Sequence, residues 1–417
     1  MIHHPTRLNR RGAMWPLMLG CLVLLMAGVA LAVDGAFLWQ ARQELQVAAD
    51  ASALGAALEL TDDQLLLKQP GVMYGSVLRS FSIAQHLASR HHVLGIPLQL
   101  DTNEDVAVGY FNSETKSMQP ASPGDWDSPY LNAIEVMARR TRERGTPVGL
   151  FFTRIFQLQS ADVSATATAV LDRQIVGFRA TAALNIPMMP IGVFSDPTGM
   201  DELTWEYQID KPLSLGNGGL DEFAFNKFTR RWLHVSNGGE GDGLPEFVLK
   251  IPISTVIDET NGCLLQIGRQ DGRTLPRQME NGLTVADLEA YHGQLQLGWD
   301  GLLPLDEAPV PRANTLANMV EVLETLSKTG EARLWPLYLP GPAIRATPTV
   351  TGDSTSPLPS TGVALIRGFV AARVCTVELT DKYLELVIQP TVLTTGTALT
   401  EPSGPVNQYV GKIRLVR

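Results

Sequence analysis

The segment Gly12–Val33, GAMWPLMLGCLVLLMAGVALAV, contains no charged residue. At about 1.5 Å per residue, a helix formed by this segment is about 30 Å long, which matches the hydrocarbon thickness of a bilayer. Pro16 falls near the predicted helix start, where its missing N–H group has little effect. Leu24, Leu25 and Val33 belong to the apolar surface of the predicted span. The segment therefore predicts a transmembrane helix.

The charges around this segment predict its orientation. Arg7, Arg10 and Arg11 precede it, and no other charged residue occurs before Asp34. Because positively charged flanks are retained in the cytoplasm, we expect residues 1–12 to be a cytoplasmic tail. Everything after the apolar run is then expected to lie outside the cytoplasm.

The helix is predicted to continue beyond the membrane. Residues 34–59, DGAFLWQARQELQVAADASALGAALE, are rich in helix formers. Mostly small residues recur there at spacings of three or four and form a narrow stripe that suits close helix packing. The stripe comprises Leu38, Ala41, Leu45, Ala48, Ser52 and Ala56.

A cleaved signal peptide is the alternative to a retained anchor. Ala30-Leu31-Ala32 is an acceptable cleavage site, and the basic start also fits a signal peptide. Against cleavage, the apolar run exceeds the 7–15 residues of a signal core, and helix-forming sequence follows directly after it.

The composition narrows the class of protein. The chain of 417 residues is 45% hydrophobic and 18% charged, which allows packed cores of two or three domains. Its 27 prolines and 37 glycines, together with many Thr and Val residues, indicate many turns and short strands. The net charge of −10 makes nucleic acid an unsuitable partner, because an acidic body repels phosphate backbones.

The N-terminal sequence resembles TadG-like proteins of the tight-adherence (Flp) pilus system. The resemblance covers Arg10–Leu58, and its most distinctive part is the pair Val33-Asp34 followed by a second motif. That second motif reads Leu45-Gln46-x-Ala48-Ala49-Asp50-Ala51-x-Ala53-Leu54. The resemblance implies a pilin-like long helix, half in the membrane and half above it.

One position departs from the pilin pattern. Processed type IV prepilins carry a glutamate five residues after the cleavage glycine, and the equivalent position after Gly12 is Leu17. We therefore expect a pilin-like layout without the features of a major pilin.

A second resemblance covers about Tyr110–Leu171. The order of an Asn132-Ala-Ile-x-Val strand, an apolar Phe-rich segment and a closing Val163-Ser-Ala-x-Ala-x-Ala strand is similar to the first extracytoplasmic module of TadG-like proteins. We expect the Phe-rich segment, Pro147–Phe156, to be a short helix and Asp162–Val170 to be a polar edge strand.

The predicted fold class is α+β, with a single N-terminal transmembrane helix and a β-rich extracytoplasmic body. The expected divisions are a tail (1–12), a long helix (13–60), a first α+β module (61–178) and a β-rich C-terminal region of unknown type (179–417). A clear amphipathic helix is predicted over Asn314–Lys328, closed by Gly330. Residues 346–360 are predicted to form a polar, flexible insertion.

No motif indicates catalysis, a metal site or a cofactor. The sequence lacks G-x-S-x-G, H-E-x-x-H and the calcium-loop pattern D-x-D-x-D-G. Asp162-Val-Ser164-Ala-Thr166 approaches the metal motif of von Willebrand factor A domains, but strand-like alternation continues through it. Cys263 and Cys375 would both lie in an oxidising space, so they form either a disulfide or two buried thiols.

The resemblance therefore implies a non-enzymatic structural or assembly component of a Flp pilus system at the bacterial inner membrane. Its expected partners are the lipid bilayer and other pilus or envelope proteins, which would contact the small-residue stripe of the helix. The alternative is an anchored adhesin or ligand-binding ectodomain.

Overall fold

The computed structural model describes residues 14–152, 157, 159–210, 220–227, 229–234, 241–253, 260–269, 273–340 and 362–416. The predicted cytoplasmic tail and the predicted insertion at 346–360 lie outside these ranges. The fold is a long N-terminal helix followed by a β-rich body, which confirms the predicted α+β class.

The first half of the described chain has two long helices and nine strands. The helices are α1 (Met14–Leu58) and α2 (Val72–Arg90). The strands are β1 (His92–Val93), β2 (Ile96–Pro97), β3 (Val106–Asn112), β4 (Ser117–Pro120), β5 (Ala133–Arg140), β6 (Val148–Gly149), β7 (Ser160–Ala161), β8 (Val163–Asp172) and β9 (Ile175–Arg179).

The second half is richer in strands. Its strands are β10 (Ile191–Phe194), β11 (Phe223–Asn226), β12 (Arg231–His234), β13 (Phe247–Pro252), β14 (Gly262–Gln266), β15 (Gln294–Gln296), β16 (Leu303–Glu307), β17 (Arg333–Pro340), β18 (Val363–Leu379), β19 (Tyr383–Pro390), β20 (Leu393–Thr394), β21 (Ala398–Thr400) and β22 (Val410–Val416). Its helices are α3 (Thr274–Asn281) and α4 (Ala313–Thr329).

Helix α1 is one continuous element with two different environments. Its 45 residues give a length of about 68 Å at about 1.5 Å per residue. The side chains of Trp15–Val33 are mostly exposed, whereas one face of the part after Asp34 is buried against the body. An exposed apolar half and a packed half in the same helix require two different surroundings.

The buried face of α1 forms a core with α2 and with the sheet that contains β5 and β8. Ala and Leu side chains of α1 pack there with Val77, Ala84 and Ala88 of α2. Close approach of the two helices depends on Gly55, because a Cβ atom at this position would lie 2.1 Å from Leu87 Cδ1. Short side chains thus allow the helix to lie directly on the body.

Six strands form the sheet beneath α1, in the order β20-β22-β8-β5-β3-β4. The C-terminal strand β22 returns to this sheet and pairs antiparallel with β8, from Lys412 opposite Asp172 to Val416 opposite Thr168. On the side of β8 away from β5, β22 pairs with Thr168–Asp172, and no described strand pairs with Val163–Ala167. The edge strand predicted over Asp162–Val170 therefore agrees with the structure at Val163–Ala167 and is wrong at Thr168–Val170.

The second sheet closes on itself. Its order is β13-β19-β18-β16-β14-β10-β17, and β17 also pairs with β18. Strands β10, β14, β16, β17 and β18 thus form a closed ring, in which β10 and β17 are parallel. Closure satisfies the strand edges internally, and apolar side chains of these strands, such as Ile191, Leu265, Trp335 and Phe369, belong to one buried core.

Helix α4 covers part of this ring. Met319, Leu323 and Leu326 are its buried apolar residues. Gly330 follows in the left-handed conformation with φ of 60°, and its amide donates to Leu326 O at 2.9 Å. The amphipathic helix and its glycine stop agree with the sequence prediction.

The short helix predicted over Pro147–Phe156 is wrong in its described part. Val148–Gly149 forms β6, which pairs antiparallel with β7, and the Leu150 amide donates to Gln159 O at 3.1 Å. A β-hairpin therefore occupies this position, and its residues 153–156 lie outside the described ranges. The predicted division at residue 178 stays a prediction.

We predict that Ala49→Leu destabilises the body. Ala49 is fully buried in the core under α1, and extra methylene groups in a packed core cost about 1–3 kcal/mol. Urea unfolding of the full-length chain in detergent, followed by near-UV circular dichroism, measures the loss. The matched control is Ala36→Leu on the exposed side of the same helix. Equal midpoints for the two variants would contradict the packing described.

Candidate functional site

The candidate site is the Asp34 junction, defined by Asp34, Phe37, Phe151 and Phe152. Asp34 follows the uncharged run directly, yet its side chain is only 2% exposed. Its carboxylate accepts from the amides of Phe151 at 2.9 Å and Phe152 at 3.1 Å. The rings of Phe37 and Phe151 meet edge to face with centroids 5.1 Å apart. This carboxylate therefore holds the segment that directly follows β6 against α1.

Two further polar side chains of α1 hold the body. Glu44 accepts from the amide of Leu94 at 2.6 Å, in the turn between β1 and β2. Gln46 donates to the carbonyl of Thr166 at 3.2 Å, on the open edge of β8. Hydrogen bonds to ionised groups are the stronger kind, so Asp34 and Glu44 contribute most to fixing the rotation of the helix.

The anchor residues predicted from the sequence lie on the apolar half of α1. Leu24, Leu25 and Val33 are exposed large apolar side chains of α1, and Pro16 lies in its first turn. The most apolar window of this helix has a mean hydropathy of 2.5 and no part of it is buried by the body. Length and composition thus permit it to cross a membrane.

The structure corrects the predicted role of the small-residue stripe. Its members Ala41, Leu45, Ala48, Ser52 and Ala56 are fully buried against the protein's own sheet and α2, as are the neighbouring predicted residues Ala49 and Ala53. Asp50 is half-buried and accepts from Gln46 at 2.8 Å. The stripe is therefore an internal surface and is not available to another pilus protein.

A second carboxylate, Asp63, connects the N-terminal part to the ring. It accepts from Arg373 Nη1 at 2.8 Å, from Thr391 Oγ1 at 2.7 Å and from the amide of Val392 at 2.8 Å. Arg373 lies on β18, and Asp63 begins the short 3₁₀ helix Asp63–Leu67 that follows α1. The end of α1 is thus bound to the longest strand of the ring.

Neither of these polar junctions is predicted from the sequence. In sequence, the first amide donor to Asp34 is 117 residues away, and the Arg373 donor to Asp63 is 310 residues away. For Asp34 a signal exists, because a carboxylate placed directly after an apolar span needs a specific partner. For Asp63 no local pattern distinguishes it from the neighbouring acidic residue Asp62.

Buried acidic groups occupy the space between β13, β19 and the β11–β12 hairpin. Glu246 is fully buried, accepts from the amides of Glu222 and Phe223, and lies 3.3 Å from Gln389 Nε2. Burial, together with the nearby Asp221 and Asp242, raises the pKa of Glu246 to about 8. Burial also raises the pKa of Asp242 to about 6.

Among the described residues, no group of three or more His, Cys, Asp or Glu side chains is placed to hold a metal ion. Ser195 Oγ donates to Glu206 Oε1 at 2.5 Å, and Ser195 is fully buried. Arg367 Nη1 donates to the same carboxylate oxygen of Glu206.

Both candidate disulfide residues are free thiols. Cys263 on β14 and Cys375 on β18 are buried, and the disulfide considered from the sequence is not formed. Burial raises the pKa of both thiols, so neither is an activated nucleophile.

The fold and the Asp34 junction define a helix-anchored protein with a β-rich body. Residues 12–59 match a family described as putative Flp pilus-assembly TadE/G-like, and residues 41–169 match one described as putative Tad-like Flp pilus-assembly. Together the two matches cover residues 12–169, so this part of the chain is similar to TadE/G-like Flp pilus-assembly proteins. It has no match among curated proteins and none among solved structures.

We predict that stability falls as the pH rises from about 4.5 to about 8. A carboxyl with a raised pKa keeps its proton in the folded state at pH values where the unfolded chain releases it. Its contribution to the free energy of unfolding is therefore fully present below the ordinary pKa of a carboxyl. That contribution is lost as the pH rises through the folded-state pKa, by up to about 1.4 kcal/mol per pH unit for one group.

Glu246→Gln should make this decline shallower, because it removes the titrating carboxyl. Thermal unfolding midpoints across this pH range provide the measurement. Glu222→Gln, on the half-exposed neighbour, is the matched control. The same slope in Glu246→Gln and the unaltered chain would contradict the assignment.

Proposed function

We propose that the chain is a membrane-anchored structural or assembly component of a Flp pilus system, with a cytoplasmic N-terminus and an extracytoplasmic body. The observation that carries this proposal is the division of α1 within the TadE/G-like match. One half of the helix is apolar and exposed, and the other half is the core of the body. Such a helix couples a bilayer rigidly to a folded body.

The orientation rests on charge. Arg7, Arg10 and Arg11 precede the apolar run, and the body carries the acidic excess. Positively charged flanks stay in the cytoplasm, which directs the β-rich body to the opposite side of the inner membrane.

The supporting chemistry is that of a scaffold. Tad pilus-assembly families are generally structural or assembly components. Three hydroxyl or thiol groups are notable for their burial or for their acidic neighbours. All three are enclosed by the body: Ser195, Cys263 and Cys375. A non-enzymatic role follows best from these features.

The topology prediction uses cysteine labelling. Trp299 is fully exposed on a turn of the body, so Trp299→Cys should react with a membrane-impermeant maleimide in intact spheroplasts. His4→Cys should react only after lysis. Both variants need Cys21→Ala, since Cys21 is exposed on α1. Labelling of His4→Cys in intact spheroplasts, or of neither site before lysis, would contradict the orientation.

The assembly prediction separates the pilus role from the adhesin alternative. The double variant Leu24→Lys, Leu25→Lys places two charges in the predicted span. Each charge raises the free energy of membrane insertion by about 2.5–3.5 kcal/mol, so the variant should lose membrane association. Cells with only this variant should lack Flp pili in electron micrographs. Val47→Lys, on the exposed outer side of the same helix, is the control. Normal piliation with loss of surface adhesion would support the adhesin alternative instead.

A further inference from the structure

Two adjacent phenylalanines are exposed beside the end of the apolar half of α1. Phe151 is 62% exposed and Phe152 is 43% exposed, in the segment Leu150–Phe152 that directly follows β6 and is called the β6 extension below. Large aromatic side chains lose favourable burial when they face water. The preceding Leu150, in contrast, is buried in the body. The β6 extension thus presents its two aromatic side chains outward.

The level of the β6 extension along the helix is fixed by Asp34. Val33 is the last residue of the uncharged run, and Asp34 is the next residue. Hydrogen bonds of 2.9 and 3.1 Å from the amides of Phe151 and Phe152 to its carboxylate hold the β6 extension at that level. The Phe37 ring, one turn further, packs on Phe151. The exposed rings therefore lie where α1 leaves the hydrocarbon.

The neighbouring residues of α1 have the character of a membrane interface. Trp39 is 67% exposed and lies five residues, or about 7.5 Å, beyond Asp34. The headgroup layer on each side of a bilayer is about 5–8 Å thick. Arg42, also exposed, follows three residues later. Exposed Trp at this level, followed by a basic residue, is typical of an interfacial belt.

The backbone of the β6 extension is also compatible with lipid. Within the bilayer, unpaired N–H groups are costly because no water is present to satisfy them. The amide of Leu150 donates to Gln159 O, and the amides of Phe151 and Phe152 donate to Asp34. The carboxylate of Asp34 is in turn covered by the two Phe amides. The β6 extension can therefore enter the interfacial layer without exposing these three amides.

We propose that Phe151 and Phe152 insert into the interfacial layer of the same bilayer that α1 spans, as a second contact of the body with lipid. This inference rests on the proposed membrane anchoring of α1. A helix alone leaves the body free to turn about the helix axis and to tilt. A second contact, held by Asp34, fixes which face of the body is turned toward the membrane and which faces are presented to pilus partners.

The experiment measures the depth of a nitroxide label on the full-length chain in phosphatidylcholine nanodiscs. In a Cys21→Ala background, Phe152→Cys is labelled, and the two buried native thiols are left in place. Electron paramagnetic resonance with oxygen and with aqueous nickel chelate as relaxants gives the depth. We expect loss of nickel accessibility and gain of oxygen accessibility at Phe152, relative to Trp299→Cys on the exposed turn. Water-like accessibility at Phe152 would overturn the proposal.

A label at Leu24→Cys separates this inference from the anchoring on which it rests. A deep label at Leu24 combined with an aqueous label at Phe152 rejects only the second contact. Aqueous labels at both positions reject the anchor itself. A Phe152 label that is protected from both relaxants indicates contact with protein, such as a second copy of the chain, and also overturns the lipid assignment.

Asp34 acts here as a positioning residue. Asp34→Ala should shift the label at Phe152 toward the aqueous phase while the label at Leu24 stays deep. Asp34→Asn keeps one carbonyl acceptor and should restore part of the depth. An unchanged depth at Phe152 in Asp34→Ala would overturn the role of Asp34.

Discussion

The structure depends on the packing of the small-residue face of α1 against the six-stranded sheet and α2. Alanine and glycine side chains allow the helix axis to approach the body closely, as the contact between Gly55 and Leu87 shows. Because α1 is continuous, this packing also determines the direction in which its exposed apolar half leaves the body.

Polar contacts determine the register of this packing. A flat surface of alanines permits small rotations and slips of a helix, because many positions along it are nearly equivalent in shape. Asp34, Glu44 and Gln46 remove that freedom, since each is bonded to a backbone group of a different part of the body. Asp63 continues the series beyond the helix and binds the ring at Arg373. Apolar packing thus supplies most of the burial, and carboxylates supply the specificity.

The features that sequence predicted are those with a local cause. The length of α1 and the amphipathic α4 with its Gly330 stop follow from periodicity and capping within one segment. Pairing of β22 with β8, and of Asp34 with the hairpin, joins residues far apart in sequence and leaves no periodic signal. The helix predicted for the Phe-rich segment is wrong for the same reason. The amides of Phe151 and Phe152 are bonded to Asp34, which is far away in sequence. Burial of the Ala48 stripe was predictable, but the surface that buries it was not.

This last difference changes where partner proteins can bind. A stripe of small residues indicates that something packs closely against it, and here the protein's own sheet occupies that place. The body leaves two parts of α1 exposed, its apolar half and its outward side, where Trp39 and Val47 lie. In a bilayer, apolar burial gives helices little reason to associate, because lipid is as apolar as leucine, so attraction between helices depends on close packing. Gly20 and Gly28, which have open space around them, are the residues of the apolar half whose small size would allow such packing by a neighbouring helix.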